Sequence, residues 1–322
     1  MTFLEIAGVV FSILLLGIVV FLGVVLYMKF SSPMCQSKAR LDGETVVVTG
    51  ANTGIGKIAA EDLAKRGARV ILACRNVNKG REAADDIISR LDNGRNVKVM
   101  EVDLSSLTSV RKFVEKFLKE EDRLDILLNN AGCGWLPERV ITKDGLELTM
   151  ASNHYGHFLL TNLLLDRLKS CAPSRVVNVS SVAHKWGKID FDDLAYEKSY
   201  QRLKVYPDSK LANIYFTKEL AKRLKGTGVT ANTLHPGTIN SDFGRHAGLT
   251  KLPGVAGFSQ LFLKTTVQGA QTSIYCCVAE ELETVSGKYF SDCKEKKCSG
   301  EAYDEDAAET LWDVSETLVG LK

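Results

Sequence analysis

The stretch ETVVVTGANTGIGK, residues 44–57, decides the fold. A β-branched run from Thr45 to Thr49 meets a glycine-rich turn, and a helical pattern follows from Gly56 to Arg66. Gly50, Gly54 and Gly56 are spaced GxxxGxG between that strand and that helix. Glycine permits the tight turn and lets a pyrophosphate approach the backbone, and the helix N-terminus favours its negative charge. A nucleoside-triphosphate loop would follow its lysine with Ser or Thr, whereas Lys57 is followed by Ile58. The stretch therefore predicts a strand–turn–helix unit that binds a dinucleotide.

Working outward, the same rhythm repeats. Strand-like runs occur at ARVILAC (68–74), NVKVMEV (96–102), LDILLNN (124–130), SRVVNVS (174–180), GVTANTL (228–234) and GKYFS (287–291). Helical stretches such as SVRKFVEKFLKEE (109–121) lie between them. Strands at this spacing, apolar on both faces, indicate a parallel sheet covered by helices. The expectation is α/β: one Rossmann-type, doubly wound domain over residues 41–322 with a mainly parallel, seven-stranded sheet.

The second strand decides the dinucleotide. A carboxylate about 20 residues past the glycines would take the ribose hydroxyls of NAD. Here the second strand ends Ala73, Cys74, Arg75, with no acid. Arg75 offers fixed donors to a 2′-phosphate, so NADP(H) is the expected cofactor. Asp103 closes the third strand, where it would contact the adenine amine or cap the turn that follows.

The bulk composition excludes several classes. With 45% apolar and 25% charged residues the 322-residue chain is globular, and a net charge of +2 gives no case for nucleic acid. Cys35, Cys74, Cys133, Cys171, Cys276, Cys277, Cys293 and Cys298 show no dense pairing and no CxxC spacing, so neither a disulfide framework nor a metal site is expected. The N-terminus departs from the average. Ile6 to Met28 is free of charge, and as a helix it would run about 34 Å against a hydrocarbon core of about 30 Å. Residues 1–28 are expected to be a retained transmembrane anchor and 29–40 a linker. Lys29, Lys38 and Arg40 follow the span, so the positive-inside rule puts the rest of the chain in the cytosol. The N-x-S match at Asn178 then lies in a buried cytosolic strand, and no glycan is expected there.

Polar marks gather where strand ends should point into one crevice. Asn129, Asn130, Ala131 and Gly132 end one strand, and Asn178, Ser180 and Ser181 end the next. Tyr206 and Lys210, in KVYPDSKLANIYF (204–216), stand four residues apart on one helical face. Asn153 lies in the helical stretch NHYGHFLLTNLLL. Hydride transfer to a carbonyl builds negative charge on oxygen, which needs a donor where it forms. A free tyrosine, with a pKa near 10, is a poor acid at neutral pH, and a nearby ammonium favours its phenolate. A serine donates without carrying charge, and no covalent intermediate is needed when the nucleophile is a hydride. The G-x-S-x-G elbow of a serine hydrolase is absent at Ser180 and Ser181.

With TGANTGIG, NNAG and YPDSK in this order, the chain resembles the short-chain dehydrogenases/reductases. LACRN, NHYGHFLLTNLLL, VNVSSVAH, SKLANIYFTKELAKRL, HPGT and LWDVS narrow the resemblance to the membrane-anchored retinol dehydrogenase group, retinal reductases of the endoplasmic reticulum. The likeness covers nearly the whole chain. It implies that Tyr206 is the acid in carbonyl reduction, that Ser181 orients the carbonyl oxygen, and that Asn153 positions a proton-relay water. It implies that Lys210 holds the nicotinamide ribose and lowers the Tyr206 pKa. Gly50, Asn52, Thr53, Gly54, Ile55, Gly56, Arg75, Asp103, Asn130, Ala131, Gly132, Tyr206, Lys210, Pro236, Gly237 and Thr238 would contact the cofactor. Retinal and retinol are the implied substrate pair, and the oligomeric state is left open between monomer and homodimer. Three departures stand out: Pro207 directly after the tyrosine, Tyr155 for the leucine of NHLGHF, and Cys133-Gly134-Trp135 after NNAG. His154, His157 and His184 read as surface, packing or structural residues.

Residues 240–268 are expected to form a substrate lid or membrane-proximal segment, with Leu252, Val255, Phe258, Leu261, Phe262 and Leu263 as its apolar side chains. A lipid-borne aldehyde would reach such a mouth without crossing water. A steroid or general lipid carbonyl reductase, and a catalytically idle cofactor-binding membrane scaffold, remain as alternative readings.

Overall fold

The computed structural model describes residues 32–91, 96–239 and 263–322, with Ile6, Gly8, 11–17, 19–21 and Gly23 also described, all of these helical. Most of the expected anchor, and residues 240–262 of the expected lid, lie outside the described residues. Among the described residues no helix is long and apolar enough to cross a membrane.

The strands are β1 (Thr45–Thr49), β2 (Arg69–Cys74), β3 (Val97–Glu101), β4 (Ile126–Asn129), β5 (Ser174–Val179), β6 (Val229–His235), β7 (Tyr289–Ser291) and β8 (Lys294–Glu295). The helices that matter for the site are α1 (Gly54–Lys65), α2 (Val77–Ile88), α3 (Leu107–Glu120), α4 (Gly156–Ser170), α5 (Arg202–Arg223), α6 (Thr266–Val278) and α7 (Glu305–Leu318). All seven expected strands are present. The sheet nevertheless has eight strands, in the order β3-β2-β1-β4-β5-β6-β7-β8, because β7 turns back into the antiparallel β8. Lys294 and Glu295 are both exposed, so this edge strand carries no apolar signal by which the sequence could announce it.

The period of two along each strand builds a core on both faces. Val46 and Val48 of β1 pack in one cluster with Val70, Leu72, Ile126 and Leu128. Val47 packs on the other face with Ile71 and Leu127. Helices therefore cover both sides of the sheet. The strand order runs outward in two directions from β1 and β4, so the crevice beyond their C-terminal ends is the topological switch point. On one face α7 closes the core, with Trp312 edge-on to Phe158 of α4 at 4.8 Å between ring centroids. The stretch expected to be a linker lies against the domain: Cys35 N donates to Gln271 of α6, and Arg66 donates to the carbonyls of Ser37 and Ala39.

Candidate active site

At one end of the crevice α1 begins at Gly54, and its N-cap Thr53 makes no side-chain capping bond. The first turn carries no acid either, so its amides and dipole are open to an anion. Gly54 has φ +60° and open space where a Cβ would stand, so backbone can meet ligand there. Asn130 donates to the Thr49 carbonyl at 2.8 Å, while its own Oδ1 stays buried without a partner. These features fit a dinucleotide pyrophosphate. At the end of β2, Arg75 is exposed, and Cys74 is buried with its sulfur 3.5 Å from the Asn76 carbonyl. Asp103 spends Oδ1 on the amide and hydroxyl of Ser105, at 3.0 and 2.6 Å, and Ser106 rather than Asp103 caps α3.

At the other end Ser181, Tyr206 and Lys210 converge. Ser181 follows β5 and hydrogen-bonds the Tyr206 phenol. Ser180 donates instead to the Lys210 carbonyl at 2.6 Å, tying α5 to the end of β5. Lys210 Nζ donates to the Val179 carbonyl at 3.1 Å and lies 5.7 Å from the centroid of the Tyr206 ring. Pro207 costs α5 one backbone bond, but the helix begins at Arg202, five residues earlier, and the phenol remains in the crevice. His184 Nδ1 donates to the Ser181 carbonyl at 2.6 Å and its Nε2 accepts from Ser299 N. The ring thus ties the Ser181 backbone to Ser299. Pro236, Gly237 and Thr238 follow β6 along the same edge, and His235 Nδ1 accepts from Val182 N.

Asn153 sits in a π-turn, Ala151–Tyr155, a distortion frequent at functional sites. Its side chain is fully engaged by protein. Oδ1 accepts from Cys133 N at 2.8 Å, and Nδ2 donates to Cys133 O and to Ser209 Oγ at 2.8 and 2.9 Å. It thus clamps the NNAG loop to α5, and its backbone carbonyl accepts from His157 Nδ1 at 3.0 Å, with a second lone pair open to a relay water.

Burial dominates the electrostatics. It pushes the Tyr206 phenol up to about 12, although the Ser181 hydrogen bond pulls it down and the Cys133 thiol pushes it further up. It pushes the Lys210 amine down to about 8. Burial is the largest cause of both shifts, and it opposes the charged form of each group.

The structure brings Asn130, Ala131, Gly132, Asn153, Ser181, Tyr206 and Lys210 together at the crevice. It adds two residues that the sequence marked only as unusual. A Cβ on Gly134 would stand 2.5 Å from Tyr206 Cδ2, so only glycine lets the loop lie on the phenol ring. Trp135, held at φ +60°, lays its indole 4.9 Å from the same ring. A left-handed backbone on a bulky residue stores about 1–3 kcal/mol, which the surrounding contacts must hold. Sequence reasoning missed Thr49 and Ser209 as site residues; both lie inside quoted motifs, but nothing local says what they bond. His154 and His157 are both buried, so the surface reading of them falls.

The sequence profile of the short chain dehydrogenase family matches residues 44–251. The chain is 52% identical to human retinol dehydrogenase 12 over 293 residues, covering 91% of this chain and 92% of that protein. It is 52% identical to mouse retinol dehydrogenase 13 over 292 residues, covering 89% and 87%. Among solved structures, an uncharacterized protein from Mycobacterium paratuberculosis superposes with a TM-score of 0.73 at 33% identity, over 89% of this chain and 97% of that one. The NADP active-site complex of RhlG from Pseudomonas aeruginosa does so with 0.62 at 27%, over 78% and 95%.

Proposed function

The chain belongs to the short-chain dehydrogenase family, in its retinol dehydrogenase group, and on that premise we propose that it reduces all-trans-retinal to retinol with NADPH. That it is a nicotinamide-dependent oxidoreductase follows from the family itself. The observation that carries the finer reading is the grouping of half-buried Ser181 with buried Tyr206 and Lys210 at the switch-point crevice, in a chain half identical to retinol dehydrogenases.

When bound, the nicotinamide supplies the hydride to the carbonyl carbon. The chain's own task is to meet the charge that grows on the oxygen. Ser181 orients that oxygen with a neutral donor, and Tyr206 passes its phenolic proton to it. Lys210 balances the charge left on the phenol and holds the ribose hydroxyls. Asn153 keeps the Cys133 loop and α5 in register and turns its carbonyl to the relay water. Arg75, with no acid in the residues that end β2 itself, supports NADP(H) over NAD(H). The apolar run 6–28 supports a single-pass anchor in the endoplasmic reticulum membrane with the enzyme in the cytosol, and residues 240–268 a membrane-proximal lid.

The test is full-length protein in mild detergent with NADPH or NADH, monitored at the cofactor absorbance. All-trans-retinal is compared with a steroid ketone and a medium-chain aldehyde. Retinal with NADPH should give the highest kcat/KM. A preference for the steroid ketone would move the reading to a steroid reductase, and no oxidation with any carbonyl would leave an idle cofactor-binding scaffold. Protease protection of the domain in sealed microsomes would overturn the orientation.

A further inference from the structure

One buried side chain links the two ends of the crevice. Thr49, the last residue of β1, accepts backbone N–H bonds from Asn130 and Ala131, both at 2.9 Å. Its own hydrogen must therefore be donated elsewhere; His157 Nε2 lies 2.9 Å away and the Leu128 carbonyl 3.4 Å away, so the ring nitrogen is the nearer acceptor. The other ring nitrogen, Nδ1, lies 3.0 Å from the Asn153 backbone carbonyl, which can only accept. The tautomer follows: Nδ1 carries the hydrogen and Nε2 accepts from Thr49. Burial keeps the ring neutral, holding its pKa down to about 4. Beyond Asn153 the chain of bonds continues. Asn153 Nδ2 donates to Ser209 Oγ at 2.9 Å, and Ser209 Oγ donates to the Tyr206 carbonyl at 2.8 Å. Every donor in this series has an acceptor, and every member is buried, so each bond is strong and none can be exchanged for water at no cost.

We propose that His157 is a positioning residue: its imidazole bridges the turn that carries the cofactor loop to the Asn153 turn that carries the catalytic helix, and fixes their separation. Thr49 directly precedes Gly50, and Ser209 lies between Tyr206 and Lys210, so the bridge joins the place where phosphate binds to the place where the proton moves. An aliphatic or aromatic side chain of equal volume fills the same space but leaves the Thr49 hydroxyl only the longer contact to the Leu128 carbonyl and takes the ring donor from the Asn153 carbonyl. The inference rests on the reading of Tyr206 and Lys210 as the reacting pair.

Two variants separate the bridge from mere packing. His157→Phe keeps the ring volume and removes both bonds, whereas His157→Gln keeps one donor and one acceptor. NADPH affinity is read by nucleotide fluorescence, kcat and KM with all-trans-retinal, and folding by thermal melting. The phenylalanine variant should lose about tenfold to a hundredfold in kcat and about tenfold in NADPH affinity, with the KM for retinal within about twofold. The glutamine variant should recover to within about threefold of wild type. A phenylalanine variant that melts earlier but keeps both constants overturns the proposal, as does a glutamine variant that behaves like phenylalanine. Should the phenylalanine variant not fold, Thr49→Val breaks the bridge from its other end, and near wild-type constants there overturn it. If wild type binds NADPH but reduces no carbonyl, the functional reading fails by itself and the affinity arm alone judges the bridge.

Discussion

Lys210→Met should make the cofactor-free protein more stable while destroying its activity. Lys210 is 3% exposed, and burial brings its amine from 10.5 down to about 8. Each tenfold change in that equilibrium is about 1.4 kcal/mol, so keeping the ammonium in the fold at neutral pH costs about 3 kcal/mol. Methionine fills a similar volume without the charge. It gives up the hydrogen bond to Val179, about 1 kcal/mol, which leaves a net gain of about 2 kcal/mol at pH 7. For a domain of this size that is an increase of about 3–4 °C in Tm. The pH dependence supplies an internal check. The folded pKa lies below the unfolded one, so between pH 8 and 10.5 the folded amine is neutral while the unfolded amine still holds its proton. Wild type should therefore gain about 3 kcal/mol across that window relative to the methionine variant, so that the difference closes within it and above it stands at about 1 kcal/mol in favour of wild type. Thermal melts of both proteins from pH 6 to 11, without cofactor, measure this, and taking the difference removes every other titrating group. A methionine variant less stable than wild type at pH 7, with a difference that stays flat above pH 8, would refute the burial argument.

Tyr206→Phe removes only the proton donor, so turnover should fall by about two to four orders of magnitude while NADPH affinity stays within about twofold; near-normal turnover would move the chemistry elsewhere. Cys74→Asp places a carboxylate at the end of β2 and should raise the NADH-to-NADPH ratio of kcat/KM by about tenfold or more, and an unchanged ratio counts against the Arg75 assignment. Gly134→Ala puts a methyl against the Tyr206 ring and should cost about 1–3 kcal/mol by thermal melting together with a lower kcat. A melt and a kcat like those of wild type would mean that the loop yields freely.

Much of the fold was legible because its signals are local. ETVVVTG and the six later strand runs carry their own period, and the glycine spacing after β1 carries its own turn chemistry. The Tyr206–Lys210 pair was legible too, since residues four apart on a helix share a face whatever surrounds them. The two-residue β8 was not, because its exposed Lys294 and Glu295 look like loop. Nor was the direction of the pKa shifts. From sequence only the ammonium beside the phenol is visible, whereas burial, the largest cause of the shift in each group, depends on what the rest of the chain packs around them.

The sequence by itself determined the layered sheet, the dinucleotide turn and the kinds of side chain available for hydride and proton transfer, because periodicity and short spacings act within a few residues. Only the tertiary structure decided which of those side chains meet. Thr49 and His157 are 108 positions apart, Asn153 and Ser209 56, and no pattern along the chain pairs them. Their bonds exist because crossing strands and helices exclude water from one crevice, and in that dry interior each polar group must find a partner or lose stability.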